Sequence, residues 1–363
     1  MTQPHRRSPG PRARALIVSA VALIALVTAA LLLPVPFVKL APGPTFNVIG
    51  DDEGKPVLSI TGTETFPVDG NLDMTTVLES GGPRGGLTFV DAIASWFKSA
   101  DAVVPRELIY PDDVTGDQVK ARQSGLFNLS ESNAIGAALN FLKRPAKVML
   151  IVSSVTTDAP AFDKLQIGDE IRSVDGVPVE KAEQVVEAVR SKPVGTTFRF
   201  AVGRQVDGKD TEENVEVTSA ENPDNPGKPF VGVQIGPLYQ PDFMVDFALK
   251  DIGGPSAGLM FALGIIDKLT PDSLTGGRHI AGTGTIEPDG TVGPIGGIRQ
   301  KLAAARDAGA ELFLMPKVHC AEAKGHIPEG LTVAAVGTLG DAVEAIGTWV
   351  GGGTPVGCPA DAS

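Results

Sequence analysis

The sequence predicts an α+β fold class with one membrane-spanning helix at its start, and three observations carry that prediction. Residues 15–38 contain no charged side chain. Residues 147–219 read as short apolar or alternating strands around a single helix, giving a small β-rich section. Residues 228–350 alternate strands with helices, one of them apolar nearly all round and therefore expected to be buried.

The uncharged run is 24 residues long, enough to cross a hydrocarbon core as a tilted helix. Arg6, Arg7, Arg12 and Arg14 precede it within residues 1–14, and Lys39 alone follows immediately. By the positive-inside rule this places the N-terminus in the cytoplasm and the body outside a cell membrane. A cleaved signal peptide is the competing reading, but the run exceeds a usual signal core and ends in Pro34-Val35-Pro36 rather than at small residues. The whole chain of 363 residues carries a net charge of −12. Four of its arginines lie in that first segment, so the body is more acidic still, which argues against nucleic acid as a partner.

Residues 39–146 form the first extracytoplasmic part. Ala41-Pro-Gly-Pro reads as an exit turn, 57–60 and 72–77 as strands, and 87–97 and 131–142 as helices, the last with Ser132 as its cap. Within 147–219, strands are expected at 148–152, 170–174 and 197–202 and a helix at 182–189. The Pro- and Gly-rich stretch 222–229 reads as a linker. Strands follow at 231–235 and 244–249, then a helix at 256–268. Pro288-Asp289-Gly290 suits a hairpin turn, because Pro presets one dihedral and Gly supplies a positive φ. A helix from Gly297, strands at 312–315 and 331–336, a helix at 339–350 and a flexible tail at 351–363 complete the chain. Cys320 and Cys358 are the only cysteines; an oxidising exterior permits a bridge, and free thiols fit the sequence equally well.

Gly254-Pro-Ser256-Ala-Gly258 matches G-x-S-x-G, in which small neighbours let a strand-to-helix turn expose a serine hydroxyl. A helix-capping serine is the plainer reading. Lys301 falls on the flank of the apolar face formed by Ile298, Leu302, Ala305 and Gly309, where an ammonium loses water and its pKa falls. Neutral, it could take the proton of a serine hydroxyl; snorkelling to solvent is the alternative.

Read together, Gly253-Gly-Pro-Ser-Ala-Gly-Leu-Met, Ile280-Ala-Gly-Thr-Gly-Thr-Ile and Gly293-Pro-Ile-Gly-Gly-Ile-Arg-Gln-Lys-Leu-Ala-Ala-Ala resemble the proteolytic domain of the Lon family. The likeness is to the membrane-anchored, PDZ-containing Lon-like proteases of bacteria. The resemblance implies Ser256 as nucleophile, Lys301 as general base and Thr283 as a hydroxyl that positions the lysine, with Gly254 and Ala257 in support. Gly253 stands where many relatives carry an acidic residue; Asp251 is near, but not at that position. More faintly, residues 70–77 and the helix around Ser132 resemble the start of the same domain, which would make residues 147–219 an insertion.

That insertion resembles a PDZ domain through Asp158-Ala-Pro-Ala and Leu165-Gln-Ile-Gly-Asp-Glu-Ile-Arg-Ser-Val-Asp-Gly. The resemblance implies a groove that takes an extended peptide as an added strand, and, for the protease domain, assembly into a homo-oligomer. No phosphate-loop motif occurs in the chain, so ATP-independent cleavage of unfolded or loosely folded polypeptides is expected. No cofactor or metal site is expected, since neither H-E-x-x-H nor paired cysteines occur. Two other readings compete: a Ser-His esterase drawing on His279, His319 or His326, and a catalytically silent scaffold that binds peptides.

Overall fold

The computed structural model describes residues 10–82, 86–110, 116–206, 209–223, 225–249 and 252–359. The chain divides into two compact units, Met1–Ala41 with Leu78–Val114, and Pro42–Val77 with Thr115–Ser363.

In the first unit, helix α1 covers Pro11–Leu32 and is long and apolar enough to cross a membrane. It stops short of residue 38 because Pro34 and Pro36 disfavour helical backbone at the residues before them and donate no hydrogen bond. Pro34–Val35 instead pairs antiparallel with Leu87–Thr88, and Phe37–Leu40 pairs antiparallel with Ala102–Pro105. Ala41-Pro-Gly-Pro is no turn: it lies inside the strand Phe37–Asn47. The prolines fall past Leu40, where the ladder with Ala102–Pro105 has ended, and Thr76 Oγ1 donates to Pro44 O at 2.7 Å. Helix α2 covers Phe89–Trp96; Thr88 caps it by accepting from the Asp91 N–H at 3.1 Å.

The second unit is built on parallel strands in the order Thr332–Val336, Leu312–Pro316, His279–Gly282, Asn71–Ser80. Helices from several parts of the chain pack with this layer. Helix α3 covers Gly116–Phe141, far longer than the expected 131–142. Ser132 therefore does not cap it; within the helix its hydroxyl donates to Pro237 O at 2.6 Å. The polar first half of α3 shows no helical stripe of its own; Gln123 O accepts from the Gly254 N–H, and Gly125 lies close against Ser154. Helix α4, Ala182–Arg190, buries Val185 and Val189 against Phe198, Phe200 and Val202 in a second core. Helix α5, Gly258–Leu269, is enclosed as its all-round apolarity predicts: Leu259, Met260, Phe261, Ala262 and Leu263 are fully buried. Removing each large side chain from water contributes about 2 kcal/mol.

The sheet around Phe198 and Phe200 runs Lys209–Thr218, Thr197–Val206, Glu170–Val174, Lys147–Val155, Val233–Gln240. The β-rich section thus extends past residue 219, because Val233–Gln240 pairs antiparallel along Lys147–Val155. The expected linker is a short antiparallel hairpin, Ala220–Asn222 against Asn225–Phe230, and Pro226, Gly227 and Pro229 lie in its second strand.

Helix α6, Ile298–Asp307, packs Ile298, Leu302 and Ala305 with Phe313 in a third cluster. A short helix α7, Cys320–Ala323, follows, then α8, Leu339–Val350, closed by a reciprocal Thr338–Asp341 cap. The tail through residue 359 is not loose. Cys358 is bridged to Cys320 with their Cα atoms 5.4 Å apart, and the Ala335 N–H donates to Val356 O at 3.0 Å. Residues 1–9, with Arg6 and Arg7, and residues 360–363 lie outside the described residues.

Candidate active site

The turn that carries Ser256 is pinned by α3. Gly254 takes φ +86°, a left-handed conformation that costs glycine little, and its N–H donates to Gln123 O at 3.0 Å. A Cβ on Gly253 would lie 2.8 Å from the Gln123 Cβ, so a larger residue there would displace the helix. About two turns further on, on the same face of the helix, Ser130 Oγ donates to Pro255 O at 3.0 Å. Neither Gln123 nor Ser130 was singled out from the sequence. Their seven-residue spacing on one helix was the available signal, but it acquires meaning only once the turn is known to face it.

Ser256 does not cap α5. Ala257, buried, occupies the cap position without a side-chain cap, and the serine hydroxyl instead accepts a hydrogen bond from Lys301 Nζ at 2.8 Å. Lys301 Nζ also donates to Thr283 Oγ1 at 2.9 Å, and Thr283 Oγ1 donates to Ser256 O at 3.1 Å. The Gly284 N–H donates to the same carbonyl at 2.9 Å. Thr283 is fully buried, its own N–H donating to Leu314 O at 3.0 Å in the neighbouring strand. Sheet and helix thus hold Ser256, Lys301 and Thr283 in one hydrogen-bonded cluster.

Lys301 sits in the first turn of α6, whose start is set by Gly297 at φ +70°. A Cβ there would approach Val77 Cγ2 to 2.7 Å. Only 3% of Lys301 is exposed, and burial lowers its pKa from 10.5 to about 7, with no acidic group among the described residues contributing to the shift. Asp251 lies outside the described residues. An amine near neutrality, in contact with a serine hydroxyl, can accept that proton without waiting for alkaline pH.

His279 and His319 are engaged elsewhere. His279 Nε2 lies 2.8 Å from Asp73 Oδ2, and His319 Nε2 accepts from the Ile295 N–H at 2.9 Å. Among the described residues no group of three or more His, Cys, Asp or Glu side chains could hold a metal ion. Beside α4 an open groove is lined by Ala182, Glu183, Val186, Glu187, Arg190 and Ser191.

Two segments of the sequence match family models. Residues 130–218 match the PDZ domain, and residues 249–346 match the Lon protease (S16) C-terminal proteolytic domain. The chain therefore carries a PDZ segment followed by a Lon-type proteolytic segment. Among relatives, the Lon protease of Roseiflexus castenholzii is 40% identical over 76 residues, covering 21% of this chain and 9% of that protein. The Lon protease of Clostridioides difficile is 42% identical over 78 residues, covering 22% and 10%. Lon protease 1 of Thermus thermophilus is 42% identical over 76 residues, covering 21% and 9%. The chain thus spans only about a tenth of the length of these relatives. A crystal structure of the PDZ domain of an SdrC-like protein from Listeria monocytogenes is 25% identical, covering 24% of this chain and 86% of that one at a TM-score of 0.21.

Proposed function

We propose that this chain is a membrane-anchored serine endopeptidase that cleaves extracytoplasmic polypeptides with Ser256 and Lys301, without ATP. The observation that carries the proposal is the 2.8 Å contact between Lys301 Nζ and Ser256 Oγ, made by an amine whose pKa is brought to about 7. In the reaction, neutral Lys301 takes the hydroxyl proton as Ser256 Oγ adds to the peptide carbonyl. Backbone N–H groups at Ser256 and Ala257, where α5 starts, stabilise the oxyanion. The lysine then returns its proton to the departing amine, leaving an acyl-enzyme. Water, deprotonated by the same lysine, hydrolyses the ester and restores Ser256. Thr283 holds Lys301 in line through its second hydrogen bond.

The protease domain is discontinuous in this reading. The pairing of Asn71–Ser80 with His279–Gly282 and the hold of α3 on the serine turn support a domain formed from residues on both sides of the PDZ section. The PDZ groove would take an extended segment of a substrate or regulator. Anchoring outside the cytoplasm is supported by the apolar helix α1, by the arginines before and at its start, and by the Cys320–Cys358 bridge, which suits an oxidising compartment.

The test is degradation of an unfolded protein by the full chain in detergent, with and without ATP. Cleavage by the parent without nucleotide, and none by Ser256→Ala or Lys301→Ala of unchanged fold, is expected. Peptide binding without turnover by the parent would replace this reading with a silent scaffold.

A further inference from the structure

Helix α2 is built inside out. Its small residues Ala92 and Ser95 face the first unit and are buried, whereas Phe89, Val90, Trp96 and Phe97 are exposed, Trp96 at 72% and Phe97 at 86%. At about 100° per residue, Phe89, Val90, Ile93, Ala94, Trp96 and Phe97 fall on one continuous arc of the helix. Asp91 lies on the other side, where it closes the cap with Thr88. A water-facing helix shows the opposite arrangement, with its large apolar side chains turned inward. A contiguous aromatic face of this kind marks a contact surface rather than scattered exposure.

The position of α2 selects the contact. Thr88, its cap, pairs with Pro34, and Leu87 pairs with Val35, so α2 begins two residues beyond the end of α1 at Leu32 in space, and the two helices touch. Leu31 and Leu33, at the same end of α1, are also exposed. Where α1 leaves a bilayer, the surroundings change from hydrocarbon to headgroups, the zone that favours Trp and amphipathic helices lying flat. Lys98, exposed and next to Phe97, stands where lipid phosphates would accept its charge.

We propose that α2 is a second membrane contact: it lies in the interface of the bilayer that α1 spans, with Phe89, Val90, Trp96 and Phe97 inserted among the lipid headgroups and upper acyl chains. This rests on the membrane-anchored reading of α1. Its consequence is orientational, since a chain held at two points cannot swivel about a single helix.

The full chain is reconstituted into phosphatidylcholine–phosphatidylglycerol vesicles whose acyl chains are brominated near the headgroup or near the methyl end. Trp96 and Trp349 are the only tryptophans, so subtracting the emission of Trp96→Phe from that of the parent isolates Trp96. The protein is expected to float with the vesicles, and Trp96 to be blue-shifted and quenched more by shallow than by deep bromines. Trp96→Ser with Phe97→Ser should still float through α1. Flotation with Trp96 unquenched by lipid and open to iodide would overturn the second contact while leaving the anchor in place. Shielding of Trp96 that depends on protein concentration rather than on lipid would overturn it in favour of a second copy of the chain. Failure of the parent to float would remove the anchor and this inference together.

Discussion

At the residue scale the central group is Lys301, a lysine that the fold has enclosed without a carboxylate among the described residues to offset its charge. Its pKa is 10.5 when unfolded and about 7 when folded. Between those values the unfolded chain holds the extra proton, so stability rises with pH across that window and is lowest at and below about pH 7. Lys301→Met should therefore abolish cleavage yet raise the melting temperature near pH 7. The gain, on the order of a few kcal/mol, should fade toward alkaline pH; a variant less stable than the parent at neutral pH would show that the amine is not strained by burial. Thr283→Val should leave Lys301 in place but remove one of its two hydrogen-bond partners, lowering kcat about tenfold or more with KM little changed. A KM effect alone would assign Thr283 to substrate binding. The sequence pointed to both residues because each sits in a local run of fixed order, and the structure brings them into one hydrogen-bonded cluster with Ser256. What the sequence did not show is what meets Gly253, the residue at the acidic position of relatives: Gln123 of α3, a contact only folding brings about.

At the element scale the site depends on two helix starts and one long helix. Gly297 opens α6 at φ +70° against Val77, four residues before Lys301. Gly297→Ala should cost about 1–2 kcal/mol from conformation alone, more from the close contact, and should reduce activity beyond the loss of folded protein; unchanged stability would contradict the strain argument. On α3, burial and the nearby Asp246 raise the Glu131 pKa from 4.5 to about 8. Between those values the folded state keeps a proton that the unfolded state has lost, so stability falls as pH rises through the window. Glu131→Gln should flatten that fall in thermal melts from pH 5 to 8, and identical pH curves for variant and parent would reject it. Helices with their own stripe and cap, α4 and α8, could be read directly. The first half of α3 could not, and the strand Val233–Gln240 was read only as 231–235, because its full length is set by Lys147–Val155, a partner far away in sequence. Pro42 and Pro44 misled in the same way, since they signal a turn locally yet sit in a strand placed between Asn71–Ser80 and Ala102–Pro105.

At the scale of the whole molecule, the second unit joins a PDZ domain to a Lon-type proteolytic domain, and α1 is available to hold the first unit in a membrane. The Cys320–Cys358 bridge closes a loop with a sequence separation of 38 and ties the tail to the strand layer beside α6. On a chain-entropy basis such a closure contributes about 4 kcal/mol. Reductant should lower the melting temperature without abolishing cleavage below it; full retention of stability would mean that the tail adds nothing to the protease domain. The bridge itself lay beyond the sequence, since two cysteines in distant segments are compatible with free thiols until the fold brings their Cα atoms to 5.4 Å.

The most direct test of the central claim is the pH dependence of kcat/KM for cleavage of a permanently unfolded protein by the full chain without ATP. If neutral Lys301 activates Ser256, kcat/KM should rise with pH through a single ionisation near 7 and level off above it, and Lys301→Arg should be inactive throughout. A flat profile through that range, or an active Lys301→Arg, would contradict the account.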